Sequence, residues 1–557
     1  MASKMIGLMK MFTPPKRPSR HQRKRMRLSA VAALGGSALL AAACGERGEA
    51  WEMPVANNPF VAFGLRGAAA IVDHPAQRAL LLPAEGDLSL APVSVPIGRN
   101  FAAARTTPDL EKLLVLCRGD VPRRTADDQG PGLYVMSGGT TPGAAGHYDL
   151  TDPLSGLDVD PLSKFAIVYP SADDTSFVTN PNELVLIKLD EAQSAKNPVP
   201  VSLRSFGGRP QGFTFTPELE VPGGARRLLV VQTDRDVALV DLSAPEKPEI
   251  TVKLTGGPDA LEPSGLAVSD GEPGNDADAR IAIRVKNDPN VIVLDIQPVP
   301  ESKADESPHS FLPVPNIVYV GGTPTDISFV RTDGGLRLAA LVPSRSVLTL
   351  VDPTTGIASD VDLGAPFERI SIVTDIVGET TDGSDVALLW STASPNVAFV
   401  ELGVTIGKPY KSVERIELAQ PVASVMNVPE PNNHLKILAS SSGTNFVILN
   451  LLARTAAPIV ASVGGTQAVP SPDGARAWML AENQSSIAQL DLASNHPRNV
   501  ELSYPARSVF DIERKDGGRA VIVLHALGAG AVTVLDAKSP SLQSSVEYLG
   551  ILLGEFQ

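Results

Sequence analysis

Six histidines follow residue 43: His74, His147, His309, His434, His496 and His525. A histidine ligates a metal or moves a proton only when its partners stand at suitable spacing. No two of these do, and neither HExxH nor CxxC occurs. Surface or turn positions are therefore expected for all six. Two acidic stretches carry the hard oxygens that calcium takes. One is residues 270–278, with Asp270, Asn275, Asp276 and Asp278; the other is residues 379–385, with Asp382 and Asp385. Neither has EF-hand spacing, so solvated loops are expected, with calcium the one candidate cofactor. No Gly-x-Ser-x-Gly elbow and no Gly-Lys-Ser/Thr phosphate loop occurs. No catalytic, cofactor-binding or metal-binding residue can be named on this basis. The two thiols are Cys44 and Cys117. Cys117 ends the apolar run Leu113-Leu114-Val115-Leu116, which predicts a buried, inert thiol.

Cys44 has a different setting. Lys16, Arg17, Arg20, Arg23, Lys24, Arg25 and Arg27 form a positive run, and residues 28–43 carry no charge. This is the n-region and h-region order of a signal peptide. The apolar stretch, about 16 residues, is shorter than the ~20 that span a bilayer. It ends in Leu40-Ala41-Ala42-Ala43-Cys44-Gly45. That segment resembles the lipobox of bacterial lipoproteins, with Ala41 where Leu is commoner. The resemblance implies cleavage before Cys44, a diacylglycerol on its thiol, and a membrane anchor. Gly45, where Asp tends to retain such proteins at the inner membrane, implies an outer-membrane lipoprotein facing the periplasm or the cell surface. Residues 1–43 are then the signal peptide and 44–59 the lipidated tether, with a reach of roughly 45 Å over residues 45–58. Residues 60–557 form the folded domain.

The charge balance changes with that cleavage. Residues 1–43 hold nine Lys or Arg and no acid. Without them, 39 basic residues face 62 acidic ones, a formal charge of −23. Such a surface repels nucleic acid and suits basic partners or divalent cations.

From residue 60 onward one pattern repeats. Gly (47) and Pro (48) break the chain into many short segments, which favours strands and turns. Apolar runs ending in Asp recur: Val237-Ala-Leu-Val-Asp241, Val291-Ile-Val-Leu-Asp295, Val347-Leu-Thr-Leu-Val-Asp352, Ile487-Ala-Gln-Leu-Asp491 and Val532-Thr-Val-Leu-Asp536. Weaker copies lie at residues 133–136, 184–190, 397–402 and 446–451. Their aspartates are expected to cap the following turns. Turn signals recur before the preceding strand: Thr107-Pro108-Asp109, Arg331-Thr-Asp333-Gly334-Gly335, Ser471-Pro472-Asp473-Gly474 and Arg514-Lys-Asp516-Gly517-Gly518. Pairs of glycines open units at 207–208, 256–257, 321–322 and 464–465.

The spacing of about 40 to 55 residues is that of propeller blades. One such unit cannot bury its apolar face alone; units packed around an axis can. The fold class expected is all-β, a β-propeller with blades of about 50 residues. Nine units are visible, with a tenth at residues 67–97. Propellers usually have four to eight blades, so seven or eight are expected, the remaining units decorating the edges. Residues 270–280 and 302–308 are expected surface insertions. The repeat resembles the YVTN and LVIVD propeller repeats of exported prokaryotic proteins, above all at Val237-Ala-Leu-Val-Asp241-Leu-Ser243-Ala-Pro245-Glu-Lys-Pro248. It lacks the Trp-Asp dipeptide of WD40 repeats.

Two functions fit this frame. The first is a non-catalytic binding or scaffold module for an envelope protein or small ligand, held at the membrane by its lipid. The alternative is a propeller enzyme, lactonase-like or a metal-dependent hydrolase, which needs charged side chains converging on the axis. The expected inner strands, 212–216, 265–268, 326–330 and 369–373, are apolar except for Asp326 and Arg369. That favours binding.

Overall fold

The computed structural model describes residues 60–553, apart from 140, 172–176, 204–208, 255–260, 272–274, 276–277, 304–306, 374–384, 404–409, 441–444, 460–466, 482–483 and 529. Cys44, the expected signal peptide and the tether lie outside the described residues. So do the glycine pairs at 207–208, 256–257 and 464–465, and most of the 379–385 loop.

Ten four-stranded antiparallel sheets form among the described residues. They span residues 61–96, 101–149, 156–202, 210–253, 263–319, 326–362, 369–417, 422–459, 467–501 and 506–549, and are numbered blades 1 to 10. First strands adjoin one another from blade 10 through blades 1 and 2 to blade 3, and from blade 5 through blade 6 to blade 7, so the first strands lie innermost. Ten hydrophobic cores fill the ten gaps between successive blades, and the tenth joins blade 10 to blade 1. The chain is therefore an all-β propeller whose ring is closed.

The expected seven or eight blades become ten. Every unit seen in the sequence, the weak copies and residues 67–97 included, supplies four strands and two buried faces, so none is edge decoration. First strands begin as little as 39 and as much as 63 residues apart. The longest interval belongs to blade 5, whose third and fourth strands, Asn290–Pro298 and Phe311–Tyr319, each run nine residues.

The Val, Ile and Leu runs became third strands because both their faces are covered. Asp236–Asp241 and Val347–Val351 are buried throughout. All four turn signals connect first to second strands. The strand-end aspartates cap as expected: Asp241 accepts from the N–H of Ser243 (2.9 Å), Asp352 from Thr354 (2.9 Å), Asp491 from Ser494 (2.8 Å) and Asp536 from Lys538 (2.8 Å). Asp295 is the exception. Its strand continues to Pro298, and its carboxylate takes Arg280 instead, at 2.8 Å.

Closure uses no exchanged strand. Blade 1 comes wholly from the N-terminal side of the domain and blade 10 wholly from the C-terminal side. Their seam is held by Ile71, Leu80, Ile522, Val534 and Ile551 in one core. The Glu513 N–H donates to the Arg66 carbonyl (2.9 Å), Arg78 donates to the Leu552 carbonyl (2.6 Å), and Lys515 pairs with Glu85. Arg507 lies over the Phe60 ring at 4.2 Å.

Candidate binding site at the axial mouth

The turns between first and second strands gather on one face of the ring. There a cavity of about 560 Å³ is lined by five consecutive blades: Asn427 and Pro429 (blade 8), Pro470, Pro472 and Asp473 (blade 9), Glu513 and Arg519 (blade 10), Arg66 (blade 1), and Pro108, Asp109 and Leu110 (blade 2). A space bounded by five blades lies at the axis, not in a gap between two.

Local chemistry makes this rim stiff. Proline fixes φ in four of the lining positions. In the Ser471-Pro472-Asp473-Gly474 turn, the Ser471 hydroxyl donates to Asp473 (2.5 Å), and Asp473 accepts from the Ala475 N–H (3.1 Å). Gly474 sits at φ +64, and a Cβ there would meet the Pro429 carbonyl oxygen at 2.4 Å. Only glycine allows blades 8 and 9 to meet so closely. Asn432 completes the contact by donating to the Gly474 carbonyl at 2.9 Å. Blade 2 uses the same device: Asp109 accepts from the Glu111 N–H (3.0 Å), and its own N–H donates to Ser163 of blade 3 (3.2 Å).

The charges at the mouth are unevenly matched. Arg519 is engaged by Asp511 at 2.7 Å and reaches Asp473 of the lining at 3.7 Å, and Arg66 is engaged by Glu111 at 2.5 Å; neither Asp511 nor Glu111 lines the cavity. Asp109 and Glu513 have no ion-pair partner among the described residues. Burial would raise the Asp109 carboxyl, but the Thr107 hydroxyl and the Glu111 N–H outweigh it and hold it below the usual range. At Asp473, too, burial is overcome by the Ser471 hydroxyl and the Ala475 N–H. Both carboxylates are ionised at neutral pH, so the mouth is an acidic recess walled by prolines.

Beneath it lies a buried polar group between blades 9 and 10. Asp511 accepts from the Trp478 indole N–H (2.8 Å) and from Arg519 (2.7 Å). Burial is the largest influence on Asp511 and raises its carboxyl despite both donors.

The expected inner strands are innermost: Pro210–Phe215, Pro263–Ser269, Asp326–Thr332 and Arg369–Val373. Asp326 and Arg369 sit close enough to influence a third charge that sequence reasoning missed, Arg284 on a second strand. Arg284 donates to the Ser264 carbonyl (2.6 Å), and Asp326 accepts from the Ile370 N–H (3.0 Å). This is two guanidinium groups about one engaged carboxylate, an arrangement without a free base. Among the described residues no group of three or more His, Cys, Asp or Glu is placed to hold a metal ion.

The remaining candidates are dispersed. Asp270 accepts from the Glu220 N–H (2.5 Å), and Asp385 from the Arg331 N–H (2.7 Å), so each ties its blade to a neighbour. His74, His147, His434 and His496 are at least partly exposed. His309 and His525 are not: only 8% and 1% of each is exposed, against the surface positions expected. His525 ends a buried strand, where Thr533 (2.6 Å) meets its ring and burial lowers its pKa. Cys117 is fully buried, and burial pushes its thiol up to about 12, which leaves it unreactive at neutral pH. No helix among the described residues is long and apolar enough to cross a membrane.

No family model matches the chain, and no curated protein matches it. It is similar to several solved structures. One is the dihydro-heme d1 dehydrogenase NirN in complex with DHE (12% identity, TM-score 0.37, covering 72% of this chain and 74% of that one). Another is a eukaryotic initiation factor (11%, TM-score 0.37, 85% and 96%). A third is apo AztD from Citrobacter koseri (12%, TM-score 0.32, 72% and 97%). Similarity at this level carries no argument about function, and the fold rests on the ten sheets and their ten cores.

Proposed function

We propose that this chain is an envelope lipoprotein, held to the outer membrane by a lipid on Cys44, whose propeller is a non-catalytic module binding a basic segment of an envelope partner at the axial mouth. The observation that carries the binding reading is the stiff, five-blade recess in which Asp109 and Glu513 have no ion-pair partner among the described residues. A rim already fixed by prolines and capped turns loses little freedom on binding. Asp109 and Glu513 supply acceptors for lysine or arginine, and the surrounding negative charge speeds encounter with a basic partner.

The test is titration of the mature protein with a Lys/Arg-rich peptide and a Glu-rich peptide of equal length. The basic peptide is expected to bind, more weakly as salt rises. The pair Asp109→Asn and Glu513→Gln should weaken it about 5- to 30-fold, the sum of two ion pairs of about 0.5–1 kcal/mol each. Glu417→Gln with Glu547→Gln, the same charge change on exposed outer strands, should weaken it far less. Equal losses in the two double variants, or equal binding of the acidic peptide, would refute recognition at the mouth.

The anchor is supported by the lipobox resemblance and tested separately. Cys44→Ser should move the protein from the membrane fraction to the soluble fraction of cells. Unchanged sedimentation with membranes would remove the lipoprotein reading.

A further inference from the structure

One side chain in the wall of the mouth serves two carboxylates. Arg519 begins the second strand of blade 10, directly opposite Glu513 and diagonal to Asp511 on the same face of the sheet. It takes the diagonal acid: its Nε stands 2.7 Å from Asp511 Oδ1 and 3.7 Å from Asp473 Oδ2 of blade 9. The guanidinium also donates to the Asp511 backbone carbonyl at 3.1 Å. The two acids sit in unlike surroundings. Asp473 lines the mouth with its side chain 35% exposed, whereas the Asp511 side chain is fully buried.

The groups that act on Asp511 come from both blades packed around it. Its own blade supplies Arg519; blade 9 supplies the Trp478 indole N–H at 2.8 Å and the negative charge of Asp473. Asp473 in turn has Arg476 at 3.6 Å as well as Arg519. While Asp511 is ionised it holds Arg519 close, and Arg519 stands off Asp473. A proton on Asp511 removes that hold. The nearest carboxylate left to Arg519 is then Asp473, and closing on it cancels an acid of the mouth. Burial, with Asp473 adding to it, raises the Asp511 carboxyl, while the Ser471 hydroxyl and the Ala475 N–H keep Asp473 low against its own burial. Asp473 is therefore still charged at the pH where Asp511 takes up its proton.

We infer that binding at the mouth is proton-linked through Arg519: with Asp511 ionised the guanidinium is drawn inward and the mouth accepts a basic segment, and with Asp511 protonated it closes on Asp473 and opposes that segment. The inference rests on the reading of the mouth as a site for basic partners and names its regulation. Linkage makes the effect reciprocal. A cation bound at the mouth drives the proton off Asp511 by the same factor by which the proton weakens binding. Arg519 is a positioning residue in this scheme, and the Trp478 indole, which donates to Asp511, reports its charge.

The test is NMR of the mature protein carrying nitrogen-labelled tryptophan, with Trp478→Phe assigning the Trp478 indole N–H among the three tryptophans. The indole resonance is followed against pH, and the Lys/Arg-rich peptide is titrated at pH 7 and pH 5. The peptide should bind about three- to tenfold more weakly at pH 5, the effect of one unit charge moved close to the site. Saturating peptide should lower the indole midpoint by the matching amount, about 0.5 to 1 in pH. Asp473→Asn should lower it with no peptide present, since the neighbouring negative charge is gone. Asp511→Asn, a neutral side chain at any pH, should bind the peptide about equally at both; the wild-type midpoint decides the matter even if that variant folds poorly. Equal wild-type affinity at the two pH values, or a midpoint moved neither by peptide nor by Asp473→Asn, would overturn the linkage. No binding at either pH, with a midpoint that still falls in Asp473→Asn, would instead overturn the reading of the mouth.

Discussion

Replacing Asp160 by Ala lowers the unfolding free energy by about 3–5 kcal/mol, the loss usual when one partner of a buried ion pair is removed. The Asp160 side chain is fully buried between blades 3 and 4, and Arg227 grips it with two bonds, at 2.5 and 2.9 Å. The same carboxylate caps its own turn, accepting from the N–H groups of Leu162 (3.1 Å) and Lys164 (3.2 Å). Alanine leaves Arg227, itself 12% exposed, without its counter-charge and frees two backbone donors. Asparagine keeps some of the acceptors and should cost less. Burial acts to raise the Asp160 carboxyl, but Arg227 and the Leu162 N–H outweigh it and lower it. A lowered carboxylate stabilises the fold above its unfolded value, about 3.9, and that contribution fades as pH falls through the folded value. The gap between wild type and Asp160→Ala in urea unfolding should therefore be full at pH 7 and shrink below about pH 4. A gap under about 1 kcal/mol at pH 7 would show that this pair does not join the two blades.

Trp478→Ala is expected to destabilise the chain by about 3–5 kcal/mol through the cavity it leaves. Trp478 is fully buried in the core between blades 9 and 10, among Leu480, Val509 and Val523. Trp478→Phe separates packing from polarity. Phenylalanine fills much of the volume but removes the indole N–H that Asp511 accepts at 2.8 Å, and should cost about 1–3 kcal/mol. Because Asp511 already has a raised carboxyl, losing that donor raises it further. The phenylalanine variant should recover part of its deficit as pH falls and Asp511 protonates. Thermal or urea unfolding of the two variants at pH 7 and pH 5 measures both effects. A pH-independent deficit would detach the indole from Asp511.

The third strands and tight turns were legible because their causes are local. A run such as Val347–Val351 is apolar throughout since blades cover both its faces. A turn such as Ser471-Pro472-Asp473-Gly474 needs its own φ values and caps. Outer strands were hard to see for the opposite reason. Gly143–Asp149 and Ala358–Asp362 are largely exposed and carry no apolar alternation to mark them. The blade count was misjudged although nearly every unit was visible, because strand patterns do not say how many units a ring closes over. The mouth was only partly legible. Asp109 and Asp473 stood out as turn residues, but nothing local shows that they share a cavity with Glu513 and Arg519 from other blades. Asp160 and Arg227, 67 residues apart, are likewise joined only by the ring. His309 and His525 were misplaced because the blade 5 extension that covers one and the strand end that holds the other leave no periodic mark.

The mouth exists only if blade 10 meets blade 1, since its lining crosses that seam. Zero-length carbodiimide crosslinking of the mature protein tests this directly, with mass spectrometry of the digest. Lys515 and Glu85, 430 residues apart, form an ion pair across the seam and should be joined. Lys286 and Glu262, paired at 3.0 Å within blade 5, provide the internal control. A closed ten-blade ring yields both crosslinks in one monomer; the control crosslink without the Lys515–Glu85 product would mean that the ring is open.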